Sequence, residues 1–225
     1  KVPWSGSGKG LNWCLHGFTK PVSNWCERVL REQGCLTAEP IYNKVKDFAL
    51  EFYSDGRGEV RFAGYSVFST NEHGAYTGNL LASDGQIEES IACCLSLEKL
   101  TGIREALRAE LASIYGNTYT GYLGVDMMVC RSDKENGYRV HPCVEINMRM
   151  NMGVVARLFY DRFVALGSKG CFAVEYVPDN ETLRARHEQD VHDYPLTVEQ
   201  GRLASGYLPL VPVTGKSCYR AYVRI

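Results

Sequence analysis

The sequence predicts an α+β fold. Hydrophobic periodicity gives a strand-rich first half, a helical middle and a second strand-rich block, with no internal repeat and no low-complexity linker between them. At 225 residues, 45% of them hydrophobic, the chain can bury a core as one domain or as two small lobes.

Each element has a local reason. In PVSNWCERVLREQG the apolar residues Val22, Cys26, Val29 and Leu30 fall on one helical face, and Gly34 is placed to end the helix. KDFALEFY and EVRFAGYSVF flank SDGRG, whose Asp55 and Gly56 favour a tight reversal, so residues from about 46 to 68 read as a β-hairpin. AYTGNLLA extends that sheet. The stretch 86–115 turns helical, with a break near Thr101 and Gly102, and YLGVDMMVC and YRVHPCVEINMR read as a second hairpin across DKENG. A helix over about 152–166 follows, and the remainder mixes short strands with one charged helix.

Composition narrows the function classes. A formal net charge of −1 supplies no field that would draw in nucleic acid or an anionic membrane, so neither is expected as a partner. No stretch is long and apolar enough to cross a membrane, and no secretory signal opens the chain. Nine cysteines, an odd set with a vicinal pair and no CxxC spacing, point to reduced thiols in a cytoplasmic protein, although a fragment of a secreted chain has the same look. Residue 1 is a lysine rather than an initiating methionine, which suggests a fragment or processed product.

The opening KVPWSGSGKG invites a phosphate-loop reading and fails it. Pro3 stands where the first Walker A glycine belongs, Gly10 follows Lys9 where the magnesium-binding hydroxyl belongs, and Leu11 replaces the third glycine of a dinucleotide fingerprint. A more general capacity survives: Gly6, Gly8 and Gly10 free backbone amides to face an anion, Ser5 and Ser7 add hydroxyls, and Lys1 and Lys9 add charge. A plain glycine-serine turn is the alternative.

VHPCVEINMRMNMG is more telling. Strand alternation puts His141, Cys143, Glu145, Asn147 and Arg149 on one face and Pro142, Val144, Ile146 and Met148 on the other, which is expected to be core. A carboxylate and an amide oxygen two residues apart offer hard oxygen ligands to a small divalent cation. In the preceding apolar run LGVDMMVC the lone Asp126 would be costly to bury unpaired, and a metal would satisfy it. The competing reading is an ordinary Glu145–Arg149 ion pair with Asp126 holding a hydrogen bond.

Taken in order, these features resemble the ATP-grasp superfamily, over about residues 1–153: a lysine with a glycine-serine loop, Glu39 and Pro40 before a strand, a lone strand aspartate, then E-x-N-x-R. The resemblance implies two α+β lobes with mainly antiparallel sheets enclosing a nucleotide cleft, a small lobe over 1–85 and a large lobe over 86–225. It implies that Lys1 touches the inner phosphates of ATP and that Ser5, Gly6, Ser7, Gly8 and Lys9 form a loop over the outer ones. Glu39 would receive the adenine amino group, Pro40 and Tyr42 the hinge, and Asp47 the ribose hydroxyls. Asp126, Glu145 and Asn147 would hold Mg2+, with Mn2+ as an alternative, and Arg149 would act with Lys1 as a catalytic residue on the transferring phosphate. Gly124 stands where many relatives carry an arginine, which shifts phosphate stabilisation onto Arg149. Relatives usually have a further amino-terminal domain, so the sequence looks like the catalytic core of a longer protein.

The activity so implied is an ATP- and magnesium-dependent ligase that turns a carboxylate into an acyl phosphate for attack by an amine, or a thiol. Its partners would be small-molecule carboxylate and amine substrates, with a homodimer left open. A nucleotide-binding module without turnover and a phosphotransferase are the alternatives. His141 and Cys143 lack a third orienting group for nucleophilic catalysis, and Trp4, Trp13 and Trp25 lack the basic company of a base-stacking surface. STNEHGAYTGN, with His73, Tyr76 and Asn79, reads equally as an acceptor pocket or a solvated strand end.

Overall fold

The computed structural model describes residues 1–4, 10–15, 17–72, 74–132 and 137–225. By contacts the chain separates into Lys1–Tyr42 with Thr70–Thr77, and Asn43–Ser69 with Gly78–Ile225. The strands over 44–81 pair into the same sheet as those that follow.

The first unit carries helix α1 (Lys20–Gln33), which has a proline in its first turn and ends on Gly34 at φ 78°. Only Val29 of this helix is buried, and Leu30 is 47% exposed, so the expected apolar face is only partly used. Val2 donates its amide to Gly10, and Thr37 donates to the Lys1 carbonyl, so the opening segment is held at both ends by backbone pairing.

The second unit is built on an eight-stranded sheet in the order β5-β4-β1-β2-β3-β6-β10-β9. Its strands are β1 (Lys44–Asp55), β2 (Val60–Thr70), β3 (Tyr76–Leu81), β4 (Thr120–Arg131), β5 (Tyr138–Asn147), β6 (Gly170–Tyr176), β9 (Tyr207–Pro209) and β10 (Tyr219–Arg224). The short β7 (Thr197–Glu199) and β8 (Arg202–Ser205) pair separately. The β1–β2 turn forms as its sequence predicts: Asp55 accepts from the amides of Arg57 and Glu59, and Gly56 and Gly58 take positive φ.

One face of the sheet's centre is wholly apolar. Phe48, Leu50 and Phe52 on β1 and Leu123, Val125, Met127 and Val129 on β4 are all at most 1% exposed. They pack with Ile87 and Ile91 of α2 (Asp84–Ala92) and Leu100 and Leu111 of α3 (Leu97–Tyr115). A capping box from Ser83 to Gln86 starts α2. The break between helices falls at 93–96 rather than at Thr101 and Gly102, because Ser96 accepts from the Lys99 amide and caps a new helix that carries Gly102 in its interior. Helix α4 (Met152–Phe163) stops before residue 166, since Val164 turns extended and bridges to Leu203. Helix α5 (Asn180–Asp193) is the charged helix of the last segment. Its Asp190 meets the buried Arg220 of β10 at 2.6 Å, and Glu175 meets the same guanidinium at 2.7 Å. Among the described residues, no helix is long and apolar enough to cross a membrane.

The burial of Leu50 sets a direct expectation. Leu50→Ala, at the centre of β1, lowers unfolding free energy by about 3 kcal/mol in urea titration, whereas Leu97→Ala, nearly half exposed at the start of α3, changes it by less than about 0.5 kcal/mol.

Candidate functional site

Strand alternation sends every second residue of β1 and β4 away from the apolar core. On that opposite face stand Asp47, Ala49 and Glu51 of β1 and Gly124 and Asp126 of β4, with Ala49 paired to Asp126 and Glu51 paired to Gly124. β5 adds Glu145 directly across from Asp126 and Asn147 directly across from Gly124. The hairpin therefore sets two carboxylates side by side and places the amide of Asn147 next to them.

The hydrogen bonds run in one chain. Asn147 donates from Nδ2 to Asp126 Oδ2 at 3.1 Å, and Arg149 donates from Nη2 to Asn147 Oδ1 at 3.1 Å. Burial pushes the Asp126 carboxyl up to about 7, with Glu145 and Asp47 adding repulsion and with Asn147 and Arg149 opposing it. Asp47 itself is ion-paired with Lys44. Among the described residues, no group of three or more His, Cys, Asp and Glu is arranged for a metal. The donor set is instead two apposed carboxylates and a side-chain amide. That set fits a hard divalent cation completed by other oxygens: such an ion would offset the burial and the carboxylate repulsion that raise the Asp126 carboxyl.

β5 departs from its expectation in one respect. It is an edge strand, so the face expected as core is open, with Ile146 37% and Met148 38% exposed. The register also shifts, since Asp126 pairs with Glu145 but Met128 pairs with His141, and the extra residues of β5 include Pro142, which has no amide to give.

In the first unit, Lys1 Nζ lies 2.7 Å from Glu39 Oε2, both side chains being a third or more exposed, and the terminal amine donates to the Thr37 carbonyl at 2.8 Å. The two residues expected at opposite ends of a nucleotide thus meet each other. Pro40 and Tyr42 are exposed in the segment before β1. Ser5, Gly6, Ser7, Gly8 and Lys9 lie outside the described residues, as does His73. Asn79 is buried and donates to Ser66 Oγ at 2.6 Å, which fits neither a solvated strand end nor an open pocket wall.

Glu51 and Asn151 are the residues that sequence reasoning missed. Glu51 is 1% exposed, and Asn151 donates from Nδ2 to its Oε2 at 2.8 Å while accepting from the Val154 amide at the start of α4. A signal was there: Glu51 is a lone carboxylate in the apolar run FALEFY, just as Asp126 is in its own, and Asn151 continues the alternation of 145, 147 and 149.

These shifts set a pH dependence. Glu51 rises from its ordinary 4.5 to about 8 through burial, and Asp126 rises from 3.8 to about 7. Between the unfolded and folded values the unfolded chain has released protons that the folded chain retains, so stability falls as pH climbs from about 4 to about 8 and is level above. In chelator, Asp126→Asn removes one of these contributions and is more stable than the parent at pH 8 by roughly 1–2 kcal/mol, while the two converge near pH 4; urea titrations across pH check it. A variant less stable at pH 8 would show that the fold accommodates the ionised carboxylate.

No protein-family model matches the chain, and no curated protein matches its sequence. Solved structures do match. The chain is similar to N5-carboxyaminoimidazole synthetase from Staphylococcus aureus, in complex with ADP, at 11% identity and TM-score 0.50 over 98% of this chain and 54% of that one. It is also similar to the biotin carboxylase domain of 2-oxoglutarate carboxylase from Hydrogenobacter thermophilus, in complex with MgADP, ADP and bicarbonate, at 13% identity and TM-score 0.51 over 98% of this chain and 51% of that one. The chain thus spans about half the length of the structures it matches. At such identity the likeness speaks for the fold, and the fold of this chain is the ATP-grasp fold.

Proposed function

We propose that the protein is an ATP- and magnesium-dependent ligase that activates a carboxylate as an acyl phosphate for attack by an amine. The observation that carries the reading is the Asp126–Glu145 pair with Asn147 and Arg149 at the end of one hairpin, on a fold shared with enzymes solved with ADP or MgADP. Asp126, Glu145 and Asn147 would hold the cation, which would supply charge neutralisation on the phosphate oxygens. Arg149, oriented by Asn147, offers a planar fork to the transferring phosphate. Asp47, on the same sheet face as Asp126, would serve the ribose hydroxyls.

In the first step a carboxylate oxygen of the substrate bonds to the γ-phosphorus as the bond to ADP breaks. In the second, the amine attacks the acyl carbon, loses a proton and expels phosphate. The residues contribute position and charge, and Arg149 offsets the charge on the phosphoryl oxygens as the bonds exchange.

Two measurements test this. Calorimetry on Glu145→Gln shows weakened binding of magnesium ATP with a smaller loss for metal-free ATP; equal losses would make the residue structural. Arg149→Lys keeps the charge and loses the fork, so it lowers turnover by roughly tenfold to a thousandfold while ATP affinity stays within a few fold. The assay follows ADP release over a panel of carboxylates and amines and traps the acyl phosphate with hydroxylamine. ADP release with a stable phosphorylated product and no hydroxamate identifies a phosphotransferase, and tight ATP binding with no stimulated ADP release identifies a non-catalytic module.

A further inference from the structure

Glu51 is a buried carboxyl group that the proposed chemistry does not use, in a compartment made for it. Both of its cross-strand neighbours are glycines, Gly64 on β2 and Gly124 on β4. A Cβ at Gly124 would come within 2.4 Å of Glu51 Oε2 and 2.1 Å of Asn151 Nδ2. A Cβ at Gly153, in the first turn of α4, would come within 2.1 Å of Glu51 Oε1 and 2.5 Å of Ser66 Oγ. The aliphatic stem of Arg157 fills the space beside Gly64, while its guanidinium pairs with Asp84 and Asp161. Two glycines from two elements, Gly124 of β4 and Gly153 of α4, therefore leave room for the one carboxyl group, while Gly64 leaves room for the Arg157 stem.

What Glu51 holds there is the Asn151 amide. Its Nδ2 is fixed by Glu51 Oε2, and its Oδ1 caps α4 through the Val154 amide at 2.9 Å, so the amide cannot turn over without losing both bonds. Asn151 lies two residues beyond Arg149, which is anchored at its other side through Asn147 to Asp126. The turn that carries Arg149 is thus pinned at both ends.

We propose that Glu51 is a positioning residue of the site: by fixing the Asn151 amide it sets the start of α4 and the turn that carries Arg149. Its effect on nucleotide rests on the ligase reading, whereas the clamp exists without any ligand.

The test exchanges the two partners' polarity. Glu51→Gln retains an acceptor for Asn151 and keeps both Val154 amide exchange and magnesium ATP affinity within about threefold of the parent. Glu51→Ala removes the acceptor. Asn151→Asp keeps the helix cap but replaces the donor with a second carboxylate. Each of these two speeds exchange of the Val154 amide and weakens magnesium ATP binding by about tenfold or more, while the amides of Leu50 and Val125 keep their protection. Combining Glu51→Gln with Asn151→Asp restores the donor on the other partner, and both readouts recover toward the parent. The proposal is overturned if Glu51→Ala leaves Val154 exchange unchanged, if protection falls equally at Leu50 and Val125, or if the combined variant shows the sum of the two losses. Should Glu51→Ala fail to fold, the swapped pair decides alone. A parent that binds no magnesium ATP would sink the ligase reading, and the exchange data would then decide the clamp by themselves.

Discussion

The pairing of β1 with β4 is the constraint on which the rest of the molecule depends. It zips from Lys44 opposite Cys130 to Asp55 opposite Thr120, so whatever one strand places on a face the other must match. On the core face the match is uniformly apolar. On the other face it brings Glu51 beside Gly124 and Ala49 beside Asp126, so each carboxylate has a small neighbour instead of another carboxylate directly across the pair. A slip of one residue by either strand would turn its own carboxylate, Glu51 on β1 or Asp126 on β4, into the hydrophobic core, a penalty that favours the observed register.

Gly124 becomes intelligible from the same pairing. A larger side chain there has no room, because the space beside its Cα is taken by Asn151 and Glu51. The hydrogen-bonded Glu51–Asn151 pair fills that space, and Arg149, two residues before Asn151, is anchored to the amide of Asn147 rather than to a carboxylate.

Much of this was legible in the sequence where the signal is local. Asp55 with Gly56 and Gly58 wrote the first hairpin, and Gly34 wrote the end of α1. Asp126, Glu145 and Asn147 could be placed together because alternation and a hairpin need no tertiary knowledge. What the sequence did not disclose depends on partners distant along the chain. That β5 is an edge strand, leaving Ile146 and Met148 open, follows from sheet order, which periodicity does not encode. The break between α2 and α3 was misplaced because a helix-interior glycine weakens a helix without ending it, whereas Ser96 supplies the cap that starts the next one. Glu51 and Asn151 are a hundred residues apart and meet only after the sheet and α4 have packed.

The charged groups of the chain differ in how firmly they are held. Glu51 is buried and tied to one partner through a hydrogen bond in a low-dielectric compartment, where losing that partner is expensive. The Lys1–Glu39 pair is more than a third exposed on the glutamate side, and ion pairs so exposed to water contribute little to stability. Such a pair can open at small cost when a better partner arrives. Arg149 stands between these extremes, bonded to an amide rather than a carboxylate, so it is oriented before the ligand arrives without being neutralised.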